Sequence, residues 1–410
     1  MKVIHISFSD LSGGAAVAAY RIHKAQLSIG IDSEFWVEKA ISGDFTVKNK
    51  GSAVLNFGKL VVPKVIFKLF RTENKILHSL ALFPSFLIKK INESNADLVN
   101  LHWIQNEMLS IEDIKKIKKP IIWTLHDMWA FCGAEHYTDD LRWQEGYFNK
   151  NRPNYEKGLD LNKWVWKRKL RNWKKPFTIV TPSIWLHECS LKSVLFNKFN
   201  NVCIPYPIDT LKWKPINKVH ARNILNLPIE SPLILFGAVG GGNDPRKGFD
   251  LLCEALNFLN AKITNVELVV FGQNKPKNEL NLDFPTHYMG HLHDEISLKI
   301  LYSAADVMII PSRQDNLPNT GIESHACGTP VVAFDIGGLS DIVEHKVTGY
   351  LAKPFDTLDM AEGINWVLTD IENLRQLSTN ASKRANDLWN MEVIGRKYLE
   401  LYDSILKKQI

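Results

Sequence analysis

The chain has 410 residues, of which 45% are hydrophobic and 23% are charged, with 23 glycines and 18 prolines. These ordinary globular proportions argue against a collagen-like, coiled-coil or disordered protein, and the length predicts two large or three small domains. The net charge of +6 is unevenly distributed, since residues 1–208 hold 30 Lys and Arg against 19 Asp and Glu (+11), whereas residues 209–410 hold 20 against 25 (−5).

Neither a membrane-spanning segment nor a signal peptide is predicted. The longest weakly polar stretch, residues 76–88, contains His78, Ser79 and Pro84 and falls short of the roughly 20 apolar residues that a spanning helix needs. The N-terminus alternates like a strand and lacks the apolar core of a signal peptide. The five cysteines are an odd number without C-x-x-C spacing, typical of free thiols. We therefore expect a soluble, cytoplasmic protein.

Short β-rich runs alternate with helical stretches, which predicts βαβ units and parallel sheets. In the first half, a strand at 2–8 is followed by a Ser-Gly-Gly loop and an alanine-rich helix from about Ala15. The further strands are predicted at 97–103, 120–126, 233–238, 266–272, 307–312 and 331–335.

The segment 204–215 predicts a boundary between two doubly wound units. It contains three prolines, which disfavour a regular helix or a central strand, and the charge balance changes there. We place one domain at 1–207 and a second at 208–385. Residues 386–410 are predicted to form a terminal helix.

The most informative segment is 311–333, with the sequence PSRQDNLPNTGIESHACGTPVVA. A predicted strand ends at Ser312, a loop contains Asp315, and a helix is predicted to begin at 318–320. The free N–H groups of such a helix form an anion site at the carboxyl edge of a parallel sheet. Glu323, one turn into the helix, can reach a hydroxyl there. The pattern fits a nucleotide-sugar site, with one acid for the sugar and one for the ribose. An ordinary strand, loop and helix with solvated acids is the alternative.

This segment resembles the donor signature of family 4 retaining glycosyltransferases, E-x7-E followed by A-x-G-x-P-V-V-A. Asp315 stands where the first Glu is usual, and Glu323 is the second. The resemblance extends over nearly the whole chain, because further family features occur in order: Gly13-Gly14, 124–127 (TLHD), 182–183 (PS), 207–215, 245–248 (PRKG) and Gly337-Gly338.

The resemblance implies the α/β fold called GT-B, in which two Rossmann-like, doubly wound parallel-sheet domains face a cleft. The N-terminal domain would bind the acceptor and the C-terminal domain the nucleotide-sugar donor. The terminal helix would pack back on the N-terminal domain.

The resemblance also implies roles for individual residues. Lys247 would neutralise the donor diphosphate and stabilise the leaving nucleotide. Asp315 would hold hydroxyls of the transferred sugar, and Glu323 would hold the ribose. His126 would lie beside the sugar near the reacting carbon. Further donor contacts would come from the backbone or side chains of Gly13, Gly14, Arg246, Asn319 and Thr320.

Two departures from the family pattern affect the phosphate site. An Arg that usually follows the strand before the R-K-G motif is absent from the stretch 237–248, GAVGGGNDPRKG. Arg246 or the glycine-rich backbone could replace it. At position 315, Asp in place of Glu shortens the reach by one methylene group.

The chain offers no clear site for a metal or for NAD. The glycine-rich stretch lacks a G-x-G-x-x-G register, which argues against a dinucleotide. No D-x-D motif occurs, so the diphosphate has no evident metal ligands. His291, His293 and Asp294 could form a metal cluster, but we favour a loop in which Asp294 caps the following helix. We expect a metal-independent enzyme without a cofactor.

Seven of the twelve tryptophans lie between Trp123 and Trp185. Trp129 and Trp143 belong to a poorly periodic segment after His126, and flat aromatic faces suit sugar rings. We therefore consider them acceptor contacts, with a small satellite core under a long loop as the equal alternative.

The stretch 163–175 combines seven cations and three tryptophans without an acid. Trp166, Leu170 and Trp173 share one predicted helical face, as in an interfacial helix attracted to anionic lipid. Tryptophans packed inward beneath solvated lysines are the alternative. Nucleic acid is not expected, because no recognisable module accompanies the cations. The candidate membrane or acceptor residues of this stretch are Trp164, Trp166, Lys167, Arg168 and Trp173.

The combined prediction is a retaining glycosyltransferase that transfers a hexose-type sugar from a nucleoside diphosphate, UDP or GDP, to a glycan. A lipid-linked acceptor in polysaccharide, capsule or lipopolysaccharide synthesis is expected, with the enzyme peripheral on the inner membrane face. Asp127 is the one carboxylate that we consider as a covalent nucleophile. The alternatives are an epimerase or phosphorylase of the same fold and a non-catalytic lipid- or nucleotide-binding module.

Overall fold

A computed structural model describes residues 1–51, 56–237, 244–260, 263, 265–275, 284–292 and 294–408. The chain divides into two compact units. Unit 1 comprises residues 1–205 and 394–410, and unit 2 comprises residues 206–393.

In the described part of unit 1, seven parallel strands form a sheet in the order β3-β2-β1-β5-β6-β8-β9, and β4 pairs with β7 in a separate antiparallel ribbon. Strands β5, β6 and β8 lie near the centre and are almost wholly buried, as expected of a parallel sheet covered on both faces. The strands are β1 Lys2–Ser9, β2 Asp32–Lys39, β3 Val47–Asn49, β4 Phe70–Arg71, β5 Leu98–Leu101, β6 Ile121–Thr124, β7 Lys157–Gly158, β8 Thr178–Thr181 and β9 Asn200–Cys203.

The helices of unit 1 follow the strands and cover the sheet. Several begin at a side-chain cap; Ser110, for example, accepts a hydrogen bond from the backbone N–H of Asp113. The helices are α1 Gly14–Ser28, α2 Asn56–Phe67, α3 Leu87–Glu93, α4 Ile111–Ile114, α5 Arg142–Glu145, α6 Leu161–Asn172 and α7 Ile184–Lys192.

Unit 2 contains a second parallel sheet, whose described strands lie in the order β12-β11-β10-β13-β14-β15. Its strands are β10 Leu233–Gly237, β11 Glu267–Phe271, β12 Thr286–Tyr288, β13 Val307–Ile310, β14 Val331–Phe334 and β15 Gly349–Ala352. Its helices are α8 Lys218–Leu225, α9 Phe249–Asn260, α10 Glu295–Ala304, α11 Asn319–Ala326, α12 Leu339–Ile342, α13 Thr357–Thr369 and α14 Ile371–Trp389.

The last helix, α15 (Met391–Lys407), packs within unit 1 from Ile394 onward. The backbone of α1 comes so close that a Cβ on Gly395 would lie 2.7 Å from the carbonyl oxygen of Ala25. The hydroxyls of Tyr398 and Tyr402 bond to side chains of the unit 1 sheet and of α1. Helix α15 therefore completes the fold of unit 1.

Each strand predicted from the sequence is confirmed, and its ends lie within two residues of the predicted ends where the structure describes them. Position 238, at the end of one predicted strand, lies outside the described residues. The terminal helix predicted at 386–410 is observed as α15, Met391–Lys407, and residues 386–389 belong instead to the end of the preceding helix α14. Among the described residues, no helix combines the length and the apolar composition required to cross a bilayer.

Candidate functional site

The centre of the candidate site in unit 2 is an ion pair between Lys247 and Asp315. The Nζ of Lys247 lies 2.7 Å from Oδ2 of Asp315, and Nη1 of Arg246 lies 3.5 Å from Oδ1. Arg246 also donates to the carbonyl oxygen of Gln314 at 2.9 Å. The structure thus brings together three residues that the sequence analysis assigned to the donor.

Backbone packing fixes this pair. Residues Pro245–Lys247 form a short 3-10 turn that ends at Gly248, whose φ of +67° is left-handed. A Cβ on Gly248 would lie 1.9 Å from the carbonyl oxygen of Pro311, and the N–H of Arg313 donates to the carbonyl oxygen of Arg246 at 2.7 Å. Because Gly248 of the R-K-G motif has no side chain, the turn that contains Lys247 can lie directly against the loop after β13.

Gly248→Ala should destabilise unit 2 and weaken the ion pair. The left-handed backbone costs an alanine about 1–2 kcal/mol, and the clash with Pro311 adds about 1–3 kcal/mol of overpacking. Gly290→Ala is the matched control, because Gly290 has a φ of +66° and its Cβ would meet nothing closer than 3.6 Å. Denaturant unfolding should show the larger loss for Gly248→Ala; equal losses would contradict the packing argument.

Opposing effects act on the Asp315 carboxyl. Burial alone would raise its pKa, but the positive charges of Lys247 and Arg246, with hydrogen bonds from Lys247 and Ser312, hold the pKa below its ordinary value. Asp315 is therefore ionised at neutral pH. An ionised carboxylate can accept hydrogen bonds from sugar hydroxyls, the role expected of it.

The loop at Gly337 and Gly338 lies against the same residue. The N–H of Gly338 donates to the carbonyl oxygen of Asp315 at 3.1 Å. Gly337 has a φ of +55°, and a Cβ there would lie 2.3 Å from that carbonyl oxygen. Only glycine fits at position 337, so this motif positions the backbone of Asp315.

Helix α11 begins next to this loop, with Pro318 at its N-cap and Asn319 and Thr320 in its first turn. No side chain caps this end. The predicted helix start is therefore confirmed. The first-turn N–H groups point out of the helix, as an anion site requires.

Glu323 lies one turn further along α11 and is only 5% exposed. The hydroxyl of Tyr302 donates to its Oε2 at 2.9 Å, and the Thr329 hydroxyl in turn donates to the carbonyl oxygen of Tyr302. Sequence reasoning missed Tyr302, because it lies on α10, 21 residues away, and no local motif marks it.

In unit 1, Gly13 is the N-cap of α1, with a φ of +89°. A Cβ at this position would meet no atom within 4 Å. Within the fold, the glycine is therefore required by its backbone angle and not by a neighbouring atom. Gly14 is the first residue of α1.

His126 follows β6 and is buried, with its Nε2 3.1 Å from Nδ1 of His102. Burial lowers the pKa of His126 to about 4, although the charge of Asp127 opposes the shift. His126 is therefore neutral at pH 7 and contributes a hydrogen bond instead of a positive charge.

Asp127 is held by three donors. Its carboxylate accepts from Nδ1 of His136 at 2.7 Å, from Nε1 of Trp103 at 3.1 Å and from the N–H of Trp129 at 3.0 Å. Burial would raise its pKa, but His136 and the hydrogen bonds keep the pKa below its ordinary value. A carboxylate bound in this way is a poor nucleophile, which argues against the covalent role considered for it.

A cavity of about 760 Å³ opens in unit 1 at the carboxyl ends of β1, β2 and β3. Ser79 lines it, and the Ser79 Oγ lies 2.8 Å from Nε2 of His136. The volume lies within the range of small-molecule sites. Other lining residues include Phe8, Glu38, Lys39, Asn49, Lys59, Lys64, Phe67 and His78.

The acceptor role assigned to Trp129 and Trp143 is wrong, because both side chains are buried in the core of unit 1. The segment after His126 folds around the ammonium group of Lys169, which donates to the carbonyl oxygens of Trp129, Cys132 and Gly133. The alternative interpretation, a packing role, is therefore the better one, although the two tryptophans belong to the main core of unit 1 and not to a separate satellite core.

The predicted membrane face of α6 is also corrected. Trp166 and Trp173 point into the core, whereas Leu170 of the same predicted face is exposed. Arg168 is tied to Glu112 by an ion pair of 2.6 Å. Trp164, 42% exposed, and Lys167 remain outward.

Among the described residues, no group of three or more His, Cys, Asp or Glu side chains could hold a metal ion. Asp294 caps α10, as predicted, by accepting from the N–H of Ser297 at 2.7 Å. His293 and the glycine-rich residues 238–243 lie outside the described residues.

Residues 233–370 match the sequence model of the family described as "Glycosyl transferases group 1". A D-inositol 3-phosphate glycosyltransferase of Xylanimonas cellulosilytica is 32% identical over 198 residues, 46% of each chain. An N,N'-diacetylbacillosaminyl-diphospho-undecaprenol alpha-1,3-N-acetylgalactosaminyltransferase of Campylobacter jejuni is 27% identical over 53% of this chain and 55% of its own. The matches span about half the length of these relatives.

Two solved structures resemble the whole chain. Sucrose-phosphate synthase from Thermosynechococcus elongatus gives a TM-score of 0.69 at 19% identity and covers 99% of both chains. Anabaena HepE in complex with UDP-glucose gives 0.68 at 16% identity and covers 98% of this chain and all of its own. These likenesses and the two parallel-sheet units confirm the predicted GT-B fold.

Proposed function

We propose that this protein is a retaining glycosyltransferase that transfers a hexose-type sugar from a nucleoside diphosphate to a glycan. The observation that carries the proposal is the Lys247–Asp315 pair beside the first turn of α11. It lies within the residues that match the group 1 glycosyl transferase family.

The Lys247–Asp315 pair could bind the groups on both sides of the bond that breaks, the diphosphate and the transferred sugar. The ammonium of Lys247 and the N–H groups of Asn319 and Thr320 would bind the diphosphate and stabilise the charge that develops on it. The ionised Asp315 would accept hydrogen bonds from the sugar, and Glu323 from the ribose. The donor named in the HepE complex, UDP-glucose, belongs to this class.

We infer attack on the same face as the departing phosphate, with retention at the anomeric carbon. Asp127 is occupied by three donors, so it does not supply a covalent nucleophile. In the same-face route a donor phosphate oxygen takes the proton of the acceptor hydroxyl. His126 is neutral and buried in unit 1, so the role proposed for it is that of a hydrogen-bonding group and not of a positive charge. The reaction would need neither a metal nor a cofactor, since the cationic side chains neutralise the diphosphate.

The acceptor is proposed to bind in the unit 1 cavity, where polar side chains such as Ser79 and Asn49 lie beside Phe8 and Phe67. Mixed polar and aromatic walls suit a sugar ring. A lipid-linked glycan is supported by the name of the Campylobacter relative and by the +11 charge of residues 1–208. Trp164 and Lys167 would then be available to contact an anionic cytoplasmic membrane surface.

Thermal melting with UDP, GDP, ADP, CMP and NAD tests the donor site. One nucleoside diphosphate should raise the melting temperature equally with and without Mg²⁺, because binding at 100 times the Kd adds about 2.7 kcal/mol. Turnover of the matching nucleotide-sugar should then follow.

An unchanged melting temperature with all five ligands would contradict the proposal. A change in melting temperature with anionic liposomes alone would favour a lipid-binding module. A shift that requires Mg²⁺ would overturn metal independence. Consumption of inorganic phosphate, or epimerisation of the free donor, would replace the transferase with a phosphorylase or an epimerase.

A further inference from the structure

A second cavity of unit 1 lies at the amino edge of its sheet, and we call it the amino-edge cavity. It is lined by the residues at which three neighbouring strands begin, Ile121 of β6, Thr178 of β8 and Asn200 of β9. These strands run parallel, so the cavity lies at their amino ends, whereas His126 follows the carboxyl end of β6. The amino-edge cavity shares no lining residue with the cavity proposed for the acceptor.

The inner walls of the amino-edge cavity are apolar. Ile117 and Trp173 belong to the buried core of unit 1, and Ile121 and Phe177 are half-buried against that core. The indole nitrogen of Trp173 donates to the carbonyl oxygen of Ile111 at 2.9 Å, so the one polar atom of this ring is used within the protein. An apolar chain would therefore leave water favourably for these walls.

Four lysines line the same cavity, and none of its lining residues is an acid. Lys119 donates to the carbonyl oxygen of Ala96 at 2.6 Å. Lys115, Lys175 and Lys408 are exposed, and within the described part of the chain their side chains have no hydrogen-bond or ion-pair partner. An opening lined by charges of one sign attracts the opposite charge.

The lysines come together through the fold and not through a basic run in the sequence. Lys115 ends α4, Lys175 lies between α6 and β8, and Lys408 follows α15. Ile405, in the last turn of α15, is half-buried and lines the cavity beside them. Helix α15 therefore contributes both an apolar wall and a cation to the same cavity.

We propose that the amino-edge cavity binds an anionic amphiphile with a single apolar chain. The chain would lie against the apolar walls, and the anionic head would lie among Lys115, Lys175 and Lys408. An apolar cavity of about 150 Å³ can hold the six carbons of benzene, so the volume of about 290 Å³ has room for a chain of about ten to twelve carbons. The inference goes beyond the proposed function, because the cavity is formed by unit 1 alone and lies at the edge of the sheet opposite to His126.

Calorimetric titration of the full chain with decanoate, below the concentration at which micelles form, tests the inference. Saturable binding of one decanoate to each chain is expected. Hexanoate should bind about 100-fold more weakly, because each buried methylene group strengthens binding about fourfold. Decyltrimethylammonium, which has the same chain and a positive head, should also bind more weakly than decanoate. Absence of saturable decanoate binding, or equal binding of the cationic analogue, would overturn the inference.

Ile405→Trp tests the position of the chain. The larger side chain should fill the cavity from the last turn of α15 and abolish the binding of decanoate. Circular dichroism checks that the variant is folded. Unchanged decanoate binding in the folded variant would overturn the assignment to this cavity. Should Ile405→Trp fail to fold, the lysine variants below bear the test, because they alter only exposed side chains.

Replacement of the three exposed lysines by glutamine tests the position of the head. The triple variant of Lys115, Lys175 and Lys408 should bind decanoate about tenfold more weakly, since each exposed ion pair contributes little. Its affinity for the neutral analogue decanol should not change. An unchanged affinity for decanoate would overturn the role of these lysines.

The matched control replaces three other exposed lysines of unit 1, Lys68, Lys150 and Lys157, none of which lines the amino-edge cavity. It removes the same number of positive charges, so it should retain the affinity of the unaltered protein for decanoate. An equal loss in both triple variants would mean that net charge, and not this cavity, attracts the ligand.

Vesicles of phosphatidylglycerol separate a single-chain amphiphile from a membrane phospholipid. Vesicle binding that Ile405→Trp abolishes, together with no binding of decanoate, would place a phospholipid chain in the cavity and overturn the single-chain ligand. The decanoate titration needs no nucleotide-sugar and no turnover. A negative titration therefore leaves the proposed transferase untouched, and failure of the nucleotide-melting test leaves the amino-edge cavity untouched.

Discussion

Lys247→Ala is expected to lower kcat for sugar transfer by about 100- to 1,000-fold, the loss typical when a group that stabilises developing charge is removed. The ammonium lies 2.7 Å from Asp315, so its loss removes the cation proposed for the diphosphate and also the main partner of a buried carboxylate. The affinity for a nucleoside diphosphate should fall, whereas the affinity for the nucleoside alone should not. Steady-state kinetics and calorimetry with both ligands measure these effects.

Lys353→Ala is the control, because Lys353 is an exposed lysine of the same unit. Some loss of stability is expected in Lys247→Ala, about 1–2 kcal/mol, since Arg246 still lies 3.5 Å from Asp315. Kinetics must therefore be recorded well below the melting temperature. Full activity in a folded Lys247→Ala protein would remove the lysine from the site.

The sequence predicts the fold well where burial is strong. Seven strands are short segments rich in apolar residues, and such segments, when they alternate with helical patterns, are readily recognised as buried strands. These strands are β1, β5, β6, β10, β11, β13 and β14. Strands β8 and β9 escaped prediction, because TIVT and NNVC contain too few apolar residues to stand out. Their partners in the sheet, not their own residues, determine that they are strands.

The site is predictable only in part, for a related reason. Lys247 and Asp315 are found from local motifs, because the tight backbone contacts around them require glycines at 248 and 337, and these glycines can be recognised in the sequence. No local motif marks Tyr302 or His102, because they contact Glu323 and His126 only through tertiary packing.

The acceptor role predicted for the tryptophan-rich segment is wrong, because folding buries the aromatic side chains from which that role was inferred. Lys169 is buried among three backbone carbonyls and lies 3.8 Å from the ring centroid of Trp129. Counting the lysines of the sequence treats Lys169 as a charge on the surface. The charge pattern therefore predicts more exposed cations on α6 than the structure has.

Glu323→Gln should lower the affinity for nucleosides and for nucleoside diphosphates by the same factor, about 10- to 100-fold, because hydrogen bonds to a charged group contribute about 1.5–3 kcal/mol. The amide retains the shape of the carboxylate and can still accept from Tyr302, so the fold should be preserved. Calorimetric titration of the nucleoside and of its diphosphate measures both affinities.

Tyr302→Phe is the matched control, since it removes the hydroxyl on the other side of the same 2.9 Å hydrogen bond. A purely structural Glu323 would make the two variants alike, with lower melting temperatures and unchanged nucleoside affinity. A ribose-binding Glu323 would separate them, because only Glu323→Gln alters the group that meets the ligand. Glu323→Gln and Lys247→Ala, which should weaken only the binding of the diphosphate, together divide the proposed donor site into a ribose-binding and a phosphate-binding part. Equal effects of both substitutions on every ligand would mean that no such division exists.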